Sequence, residues 1–191
     1  GVKRYVLASS ASIYGQQSNI ANENSEVKPL TVYSKANRNA EIDNLSLNDE
    51  NFTVTALRFS SVYGNSARMR FDTAVNCMVL DLFKNKKISV RGKLNKRPFI
   101  HIKDVVRAYQ SIIDAPKEKI CGQIFNVGSE EQNFEMGKLA QEIVKASSID
   151  CDIELNDTND HRSYFASFQK IRESIGYSTK YTVSEGVMEM Y

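Results

Sequence analysis

Hydroxyl-bearing side chains gather in three segments of the sequence that could meet at one site. Residues 9–15 (SSASIYG) and 60–64 (SSVYG) each follow a hydrophobic run, and Tyr33 stands near the start of a predicted helix. A serine or phenol hydroxyl can hydrogen-bond a ligand oxygen, and a phenol can also take a proton if its pKa falls from near 10. Tyr33 by itself would be an ordinary aromatic residue at a helix start, so its role depends on which elements bring these segments together.

The elements that must position these segments follow from the hydrophobic pattern of the chain. Strands alternate with helices, which predicts an α/β protein with a parallel sheet. Two predicted strands, 2–8 and 52–59, each lead into a hydroxyl-rich loop, and ligands of such sheets bind at the carboxyl ends of strands. Thr31 and Asp104 are expected to cap two of the helices. The pattern predicts helices over 32–47, 73–84, 105–114, 135–146, 169–175 and from 183, shorter strands over 88–90, 97–102 and 123–127, and a long polar loop over 15–31.

The composition excludes several classes of function. The 191 residues carry 25 Lys and Arg against 23 Asp and Glu, a net charge of +2 that gives no nucleic-acid or polybasic-membrane signal. No apolar run approaches the roughly 18 residues of a membrane span. The 3 cysteines are widely spaced and form no Cys-x-x-Cys or His/Cys cluster, so we expect no metal site and a reducing, cytoplasmic setting. Neither G-x-G-x-x-G nor G-x-x-x-x-G-K occurs, so no phosphate-cradling loop is recognisable within these residues.

Three of the segments together resemble one known family. The chain reads SSASIYG over 9–15, PLTVYSKAN over 29–37 and LRFSSVYG over 57–64. This order is similar to the extended short-chain dehydrogenase/reductases, the NAD-dependent epimerase/dehydratase family that acts on nucleotide sugars. That family has a strand ending in SS-x-x-x-YG, a helix beginning P-x-x-x-Y-x-x-x-K and a strand ending in LR-x-x-x-x-YG. Further segments that match in order are 68–72, 97–104, 125–128, 160–164 and 168–171.

The resemblance implies a fold and a division of the chain. We expect the C-terminal part of a Rossmann-type doubly wound parallel sheet plus a smaller α/β substrate-binding lobe. Residues 1–66 would belong to the NAD-binding domain, and 67–191 mainly to the lobe, with 99–128 returning to the Rossmann sheet. The family's glycine-rich first turn has no counterpart here, so we expect the chain to be an N-terminally truncated part of a larger enzyme.

The resemblance also implies a chemistry and a set of site residues. The expected activity is the transient oxidation of a sugar hydroxyl by hydride transfer to NAD, with NADP as an alternative cofactor. Tyr33 would be the base and Ser10 its hydroxyl partner on the same substrate oxygen, and the complete protein would be a homodimer built partly on the Tyr33 helix. The residues expected to bind the cofactor are Ser9, Tyr33, Asn37, Ser61 and Val62, and those expected to bind the nucleotide-sugar substrate are Asn76, Val90, Arg97 and Arg162.

One departure from the family pattern bears on activity. Four residues after Tyr33 the family has lysine, whereas this chain has Asn37 on the same helix face. Removing a unit charge about 4 Å from a phenolate costs up to a few kcal/mol of stabilisation at an effective dielectric near 20. This leaves two alternatives to an epimerase, namely a catalytically impaired nucleotide-sugar or NAD-binding protein, and an NAD(P)H-dependent sugar reductase or dehydratase. Ala11 and Ser12 stand where dehydratases carry acidic residues, which disfavours dehydration.

Overall fold

The computed structural model describes residues 1–190, in which strands and helices alternate for most of the chain. The strands are β1 (Arg4–Ser10), β2 (Thr53–Phe59), β3 (Ser61–Tyr63), β4 (Lys87–Arg91), β5 (Lys96–His101), β6 (Ile124–Val127), β7 (Asn133–Glu135) and β8 (Asp152–Asn156). The helices are α1 (Val32–Leu45), α2 (Ala74–Asn85), α3 (Ile102–Asp114), α4 (Lys117–Ile120), α5 (Met136–Ser147), α6 (Gln169–Ile175) and α7 (Val183–Met190).

The sheet that positions the hydroxyl-rich loops is parallel, with strand order β1-β2-β6. All seven residues of β2 are buried, as is typical of a parallel strand covered on both faces. The last pairs of the β1–β2 ladder are Ser9 with Arg58 and Ser10 with Phe59, so the two strands end side by side. The predicted α/β class with a parallel sheet is therefore confirmed.

Two smaller sheets complete the chain. Strand β3 pairs in parallel with β5, which pairs antiparallel with β7, while β4 pairs in parallel with β8. The prediction of a loop over 60–65 was wrong in part, because residues 61–63 form β3. A three-residue strand has too short a pattern for sequence periodicity to detect. The sequence pattern also did not predict β7, β8 or α4. Strand β7 and helix α4 are too short to show a period, and β8 is short and mostly polar.

Apolar side chains form two main cores. One lies between the parallel sheet and helices α3 and α6, around Leu57, Ile112 and Phe125. The other lies among α2, α5, α7, β4 and β5, around Leu82, Val90 and Leu139. Residues of both cores line the cavity of the candidate site, with Phe59 from the first core and Tyr63 from the second.

The start of helix α3 differs from the prediction that Asp104 caps it. The helix begins at Ile102, and the Nδ1 atom of the N-cap residue His101 accepts the backbone N–H of Lys103 at 3.2 Å. Asp104 instead lies buried in the first turn, where its carboxylate accepts the backbone N–H groups of Lys180 and Tyr181 at 3.0 Å. This carboxylate joins α3 to a segment more than seventy positions away, a contact that no local pattern predicts.

The long polar loop over 15–31 is tied down along its length. Its backbone exchanges hydrogen bonds with residues 163–167, including Gln17 N–H to the Ser163 carbonyl at 2.9 Å and Ala21 N–H to the Phe165 carbonyl at 2.8 Å. Gly15 opens the loop with a φ of +65°, and a Cβ there would collide with the Lys28 carbonyl. The loop therefore delivers the chain to α1 at a fixed position.

Candidate active site

A cavity of about 360 Å³ opens at the carboxyl ends of β1 and β2. Its walls come from the end of β1, the first turn of α1, residues 59–64 and the segment 66–76 before and within α2. The structure brings together in this cavity the predicted site residues Ser9, Ser10, Tyr33, Ser61, Val62 and Asn76. It places the other four, Asn37, Val90, Arg97 and Arg162, outside the cavity lining.

Tyr33 reaches the cavity because the first turn of α1 is fixed by a reciprocal cap. The Thr31 hydroxyl accepts the Ser34 N–H at 3.1 Å, and the Ser34 hydroxyl accepts the Thr31 N–H at 3.0 Å. Tyr33 lies inside this capped turn, and 61% of its surface is exposed. The Tyr33 side chain is therefore accessible to a ligand in the cavity.

Ser10 is the last residue of β1 and the N-cap of a short 3₁₀ helix, Ala11–Tyr14. Its Oγ accepts the Ser12 N–H at 3.2 Å and donates to the Ser12 Oγ at 2.9 Å. The hydroxyl is half-buried and held at the cavity wall by these two contacts. A ligand oxygen can accept the hydrogen that Ser10 now donates to Ser12, at the cost of that one half-buried hydrogen bond.

Asn37 makes a contact within its own helix. Its side-chain Nδ2 donates to the backbone carbonyl of Tyr33 at 2.9 Å. The side chain therefore lies along α1 and not in the cavity wall, and it brings no charge to the phenol of Tyr33.

The charged groups on the cavity wall are guanidinium groups. Arg68 and Arg70 line the cavity, and Arg70 also pairs with Asp72 at 2.7 Å. No Asp or Glu lines this cavity within the described residues, so the wall favours an anionic ligand. The sequence analysis placed Arg68 and Arg70 in a family-like segment but gave them no role.

Asn76 bridges two walls of the cavity. Its Oδ1 accepts the Gly64 N–H at 3.1 Å, and its Nδ2 donates to the Arg70 carbonyl at 2.9 Å. The amide is buried with both contacts satisfied. It therefore fixes the segment 64–70, and a direct contact between this side chain and a substrate stays a prediction.

Ser9 belongs to a buried polar network beneath the cavity. Its hydroxyl donates to the Glu41 carboxylate at 2.6 Å, and Arg58 binds both oxygens of that carboxylate at 2.9 and 2.8 Å. Burial alone would raise the pKa of the Glu41 carboxyl, but the Arg58 guanidinium lowers it below the usual value, which keeps Glu41 ionised. The sequence analysis missed Glu41 and Arg58, although an arginine inside a buried strand is a signal that a partner must exist.

Arg97 and Arg162, both expected to bind the substrate, lie close together and bind the carboxylate of Asp160. Both guanidinium groups bind Asp160 Oδ2, at 3.2 Å from Arg97 and 2.7 Å from Arg162, and Arg97 also donates to the Arg162 carbonyl. The hydrogen bond from Arg162 lowers the pKa of Asp160 to about 2, with burial opposing and Arg97 assisting the shift. Burial lowers the pKa of Arg97, whose guanidinium lies over the Tyr164 ring.

Val90 is fully buried in the second core, between α2 and α5. Its predicted contact with the nucleotide-sugar substrate stays a prediction. No cluster of three or more His, Cys, Asp or Glu side chains suited to a metal ion occurs in residues 1–190. In the same part of the chain, no helix has the length and apolar character needed to cross a membrane.

The sequence model of the NAD dependent epimerase/dehydratase family matches residues 1–128. The chain belongs to this family. The prediction from the motif order is thus confirmed, and the matched range includes every residue of the cavity wall.

Curated relatives within the epimerase/dehydratase family are similar over part of their length. The "Uncharacterized UDP-glucose epimerase YtcB" of Bacillus subtilis (strain 168) is 26% identical over 133 residues, which are 69% of this chain and 41% of the relative. The UDP-glucuronate 4-epimerase of Thermodesulfobacterium geofontis (strain OPF15) is 30% identical over 110 residues, covering 56% of this chain and 33% of the relative. The chain therefore spans less than half the length of these relatives.

Solved structures show the same fold. MoeE5 in complex with UDP-glucuronic acid and NAD superposes with a TM-score of 0.87 at 22% identity, covering 99% of this chain and 64% of that one. The UDP-glucuronic acid 4-epimerase of Bacillus cereus, in complex with UDP-glucuronic acid and NAD, gives a TM-score of 0.83 at 20% identity, covering 98% and 60%. At this identity the likeness establishes the Rossmann-type fold predicted for the chain.

Proposed function

We propose that this chain is the catalytic and substrate-binding part of an NAD-dependent nucleotide-sugar epimerase-type oxidoreductase. The observation that carries the proposal is that Ser10 and Tyr33, from different elements, line one cavity at the carboxyl ends of β1 and β2. Membership of the epimerase/dehydratase family and relatives described as nucleotide-sugar epimerases support it.

The Tyr33 and Ser10 hydroxyl groups have different roles in the transfer of one proton. NAD, when bound, accepts a hydride from the sugar carbon and returns it to that carbon. Tyr33 takes the proton from the sugar hydroxyl as that C–H bond breaks, and later gives it back. Ser10 donates a hydrogen bond to the same oxygen, which holds the hydroxyl within reach of Tyr33. Inversion at the carbon would require the hydride to return to its opposite face, while Tyr33 gives the proton back to the oxygen.

The residues of the cavity suit the reactive end of the cofactor. Ser61 offers a hydroxyl and Val62 an apolar surface in the cavity that Tyr33 also lines, which suits the nicotinamide ring and its ribose. Ser9 borders the same space, although its own hydroxyl is engaged by Glu41. Asn37 can reach the ribose only by releasing the Tyr33 carbonyl. The choice of NAD over NADP rests on the solved structures that hold NAD.

A diphosphate on the substrate suits the charge of this part of the molecule. Arg68 and Arg70 face a cavity that has no carboxylate on its wall. Arg97 and Arg162 are the proposed clamps, because their planar groups match phosphate oxygens in pairs. In the structure both bind Asp160, so a diphosphate would replace or share that carboxylate.

Three coarser features belong to the same proposal. Residues 1–66 form the part of the NAD-binding domain that holds Ser10 and Tyr33, and 67–191 form mainly the substrate lobe, with 99–128 returning to the Rossmann sheet. Val32 and Ile42 lie exposed on α1, which supports a homodimer of the complete protein built partly on this helix. The three free cysteines agree with a cytoplasmic setting.

Asn37 favours a second candidate, a nucleotide-sugar or NAD-binding protein with little catalysis. The position that should lower the proton affinity of the phenol carries a neutral amide bound to its own helix. Reductase or dehydratase chemistry remains a third candidate, which Ala11 and Ser12 disfavour in its dehydratase form.

One assay separates these candidates. The complete protein is mixed with a panel of nucleotide sugars and, in separate reactions, with NAD, NADH or NADPH, and the products are followed by proton NMR while absorbance reports reduced cofactor. An epimerase yields an inverted sugar with no net reduced cofactor. Saturable binding without any product would establish the silent protein, and net consumption of NADH or NADPH would establish a reductase.

A further inference from the structure

Helix α1 carries Tyr33 but is held to the sheet with no buried apolar side chain. Of its 14 residues only Ser34 and Glu41 are buried. A helix of a globular protein is ordinarily positioned by an apolar stripe that packs on the core. Because α1 lacks one, its position relative to β1 depends on polar contacts, of which Ser34 serves the helix's own cap.

Glu41 makes the polar contacts that join α1 to both strands of the site. Its Oε1 accepts the Ser9 hydroxyl from β1 at 2.6 Å and the Arg58 Nε from β2 at 2.9 Å. Its Oε2 accepts the Arg58 Nη2 at 2.8 Å. Ser9 immediately precedes Ser10, and Arg58 lies one residue before Phe59 in the cavity wall. One carboxylate therefore connects all three elements that line the reactive end of the cavity.

The geometry of this connection is rigid. The side chain of Glu41 is fully buried and that of Arg58 is 2% exposed, so neither charge can exchange its partner for water. Arg58 continues to the Tyr14 hydroxyl at 2.9 Å, which donates to Asn126 Oδ1 at 2.8 Å on β6. Bidentate guanidinium–carboxylate pairs fix orientation as well as distance.

We propose that Glu41 is a positioning residue, which sets the place of the Tyr33 phenol relative to the Ser10 hydroxyl by clamping α1 to the ends of β1 and β2. This inference rests on the proposed function for its catalytic consequence. Its structural consequence, the docking of α1, is independent of turnover.

The test compares three variants of the complete protein with wild type. Glu41→Gln keeps the size of the side chain and removes its charge. The double variant Glu41→Gln with Arg58→Met also removes the unpaired buried guanidinium, and it keeps the test decisive if the single variant does not fold. Arg38→Gln is the matched control, because Arg38 touches the same carboxylate at 3.2 Å from within α1 and joins no second element.

Two measurements are made on each folded variant. Steady-state kinetics should show kcat reduced about 10- to 100-fold with KM for the nucleotide sugar within about 2-fold, since a misplaced base slows the chemical step. Hydrogen–deuterium exchange should show faster exchange in α1 than in wild type, with α3 unchanged. The Arg38→Gln control should match wild type in both.

Each result has one meaning. Unchanged exchange in α1 of a folded Glu41 variant would overturn the proposal, and so would an unchanged kcat or an equal loss in kcat for Arg38→Gln. If wild type gives no product with any nucleotide sugar, the proposed function fails, and the exchange data alone decide whether Glu41 docks the helix of Tyr33.

Discussion

The side-chain amide of Asn37 donates to the backbone carbonyl of Tyr33 at 2.9 Å, one helical turn earlier. The amide thereby lies along the helix surface, outside the cavity wall that Tyr33 lines. A side-chain hydrogen bond to the backbone carbonyl four residues earlier competes with the helix's own hydrogen bonds, and the neutral amide brings no charge to the phenol. The pair therefore gives a direct test of the proposed role of Tyr33, because residue 37 can be given a charge.

Replacing Asn37 with lysine should raise the catalytic rate. An ammonium about 4 Å from the phenol would stabilise phenolate by up to a few kcal/mol, so we expect kcat at neutral pH to rise tenfold or more. The measurement is the rate of sugar inversion by the complete protein. Asn39→Lys, which adds the same charge on another face of α1, should leave the rate unchanged, and a rate that does not rise in Asn37→Lys would contradict this account.

Removing either of the two site hydroxyls should lower kcat strongly and spare the fold. Tyr33→Phe loses the base and should lower kcat about 100-fold or more, while Ser10→Ala should lower it about 10- to 100-fold. Calorimetric binding of NAD and nucleotide sugar should persist in both variants. Tyr5→Phe, a half-exposed tyrosine on β1 away from the cavity, serves as the control. Wild-type kcat in Tyr33→Phe would exclude Tyr33 as the base.

The Asp160 cluster should make stability depend on acid pH. The pKa of Asp160 is lowered to about 2 in the fold, from an ordinary value of 3.8, chiefly by the hydrogen bond from Arg162. The unfolded chain binds the proton more tightly, so the stabilisation is complete above about pH 4 and is lost as pH falls toward 2. Because about a third of the side chain is exposed, we expect about 1 to 2 kcal/mol.

Denaturant unfolding of Asp160→Asn at several pH values checks this expectation. The difference from wild type should be full at pH 6 and should shrink as pH falls from 4 to 3. Asp157→Asn, an exposed carboxylate on the same segment, is the control. A pH-independent difference for Asp160→Asn would show that lost packing, and not ionisation, causes it.

Gly15 should tolerate a side chain much less than Gly176, although both have positive φ. At Gly15 (φ +65°) a Cβ meets the Lys28 carbonyl, whereas at Gly176 (φ +72°) nothing lies within 4 Å. Gly176→Ala should therefore cost only backbone strain of about 1 kcal/mol. Gly15→Ala should cost at least about 2 kcal/mol and should also lower kcat, because this loop leads into α1. Equal melting temperatures for the two variants would contradict the collision.

The sequence alone determined the features that depend on local patterns, namely the fold class, the helix start at Thr31 and the family. The alternation of strands and helices gave the α/β class, because hydrophobic period and helix-capping chemistry act over a few residues. Thr31 was correctly expected to begin the helix of Tyr33, and the order of three short motifs was enough to identify the family. Each of these signals involves residues within one element or one loop.

Only the tertiary structure decided which polar groups are engaged with one another. Glu41 lies 17 positions from Arg58 and 32 from Ser9, and Arg97 lies 63 from Asp160. A buried charge needs a partner, but the need for one does not specify which residue supplies it. The partner depends on how separate elements of the fold pack against one another. For the same reason the sequence suggested two guanidinium groups for phosphate, while the fold alone placed both of them on one carboxylate.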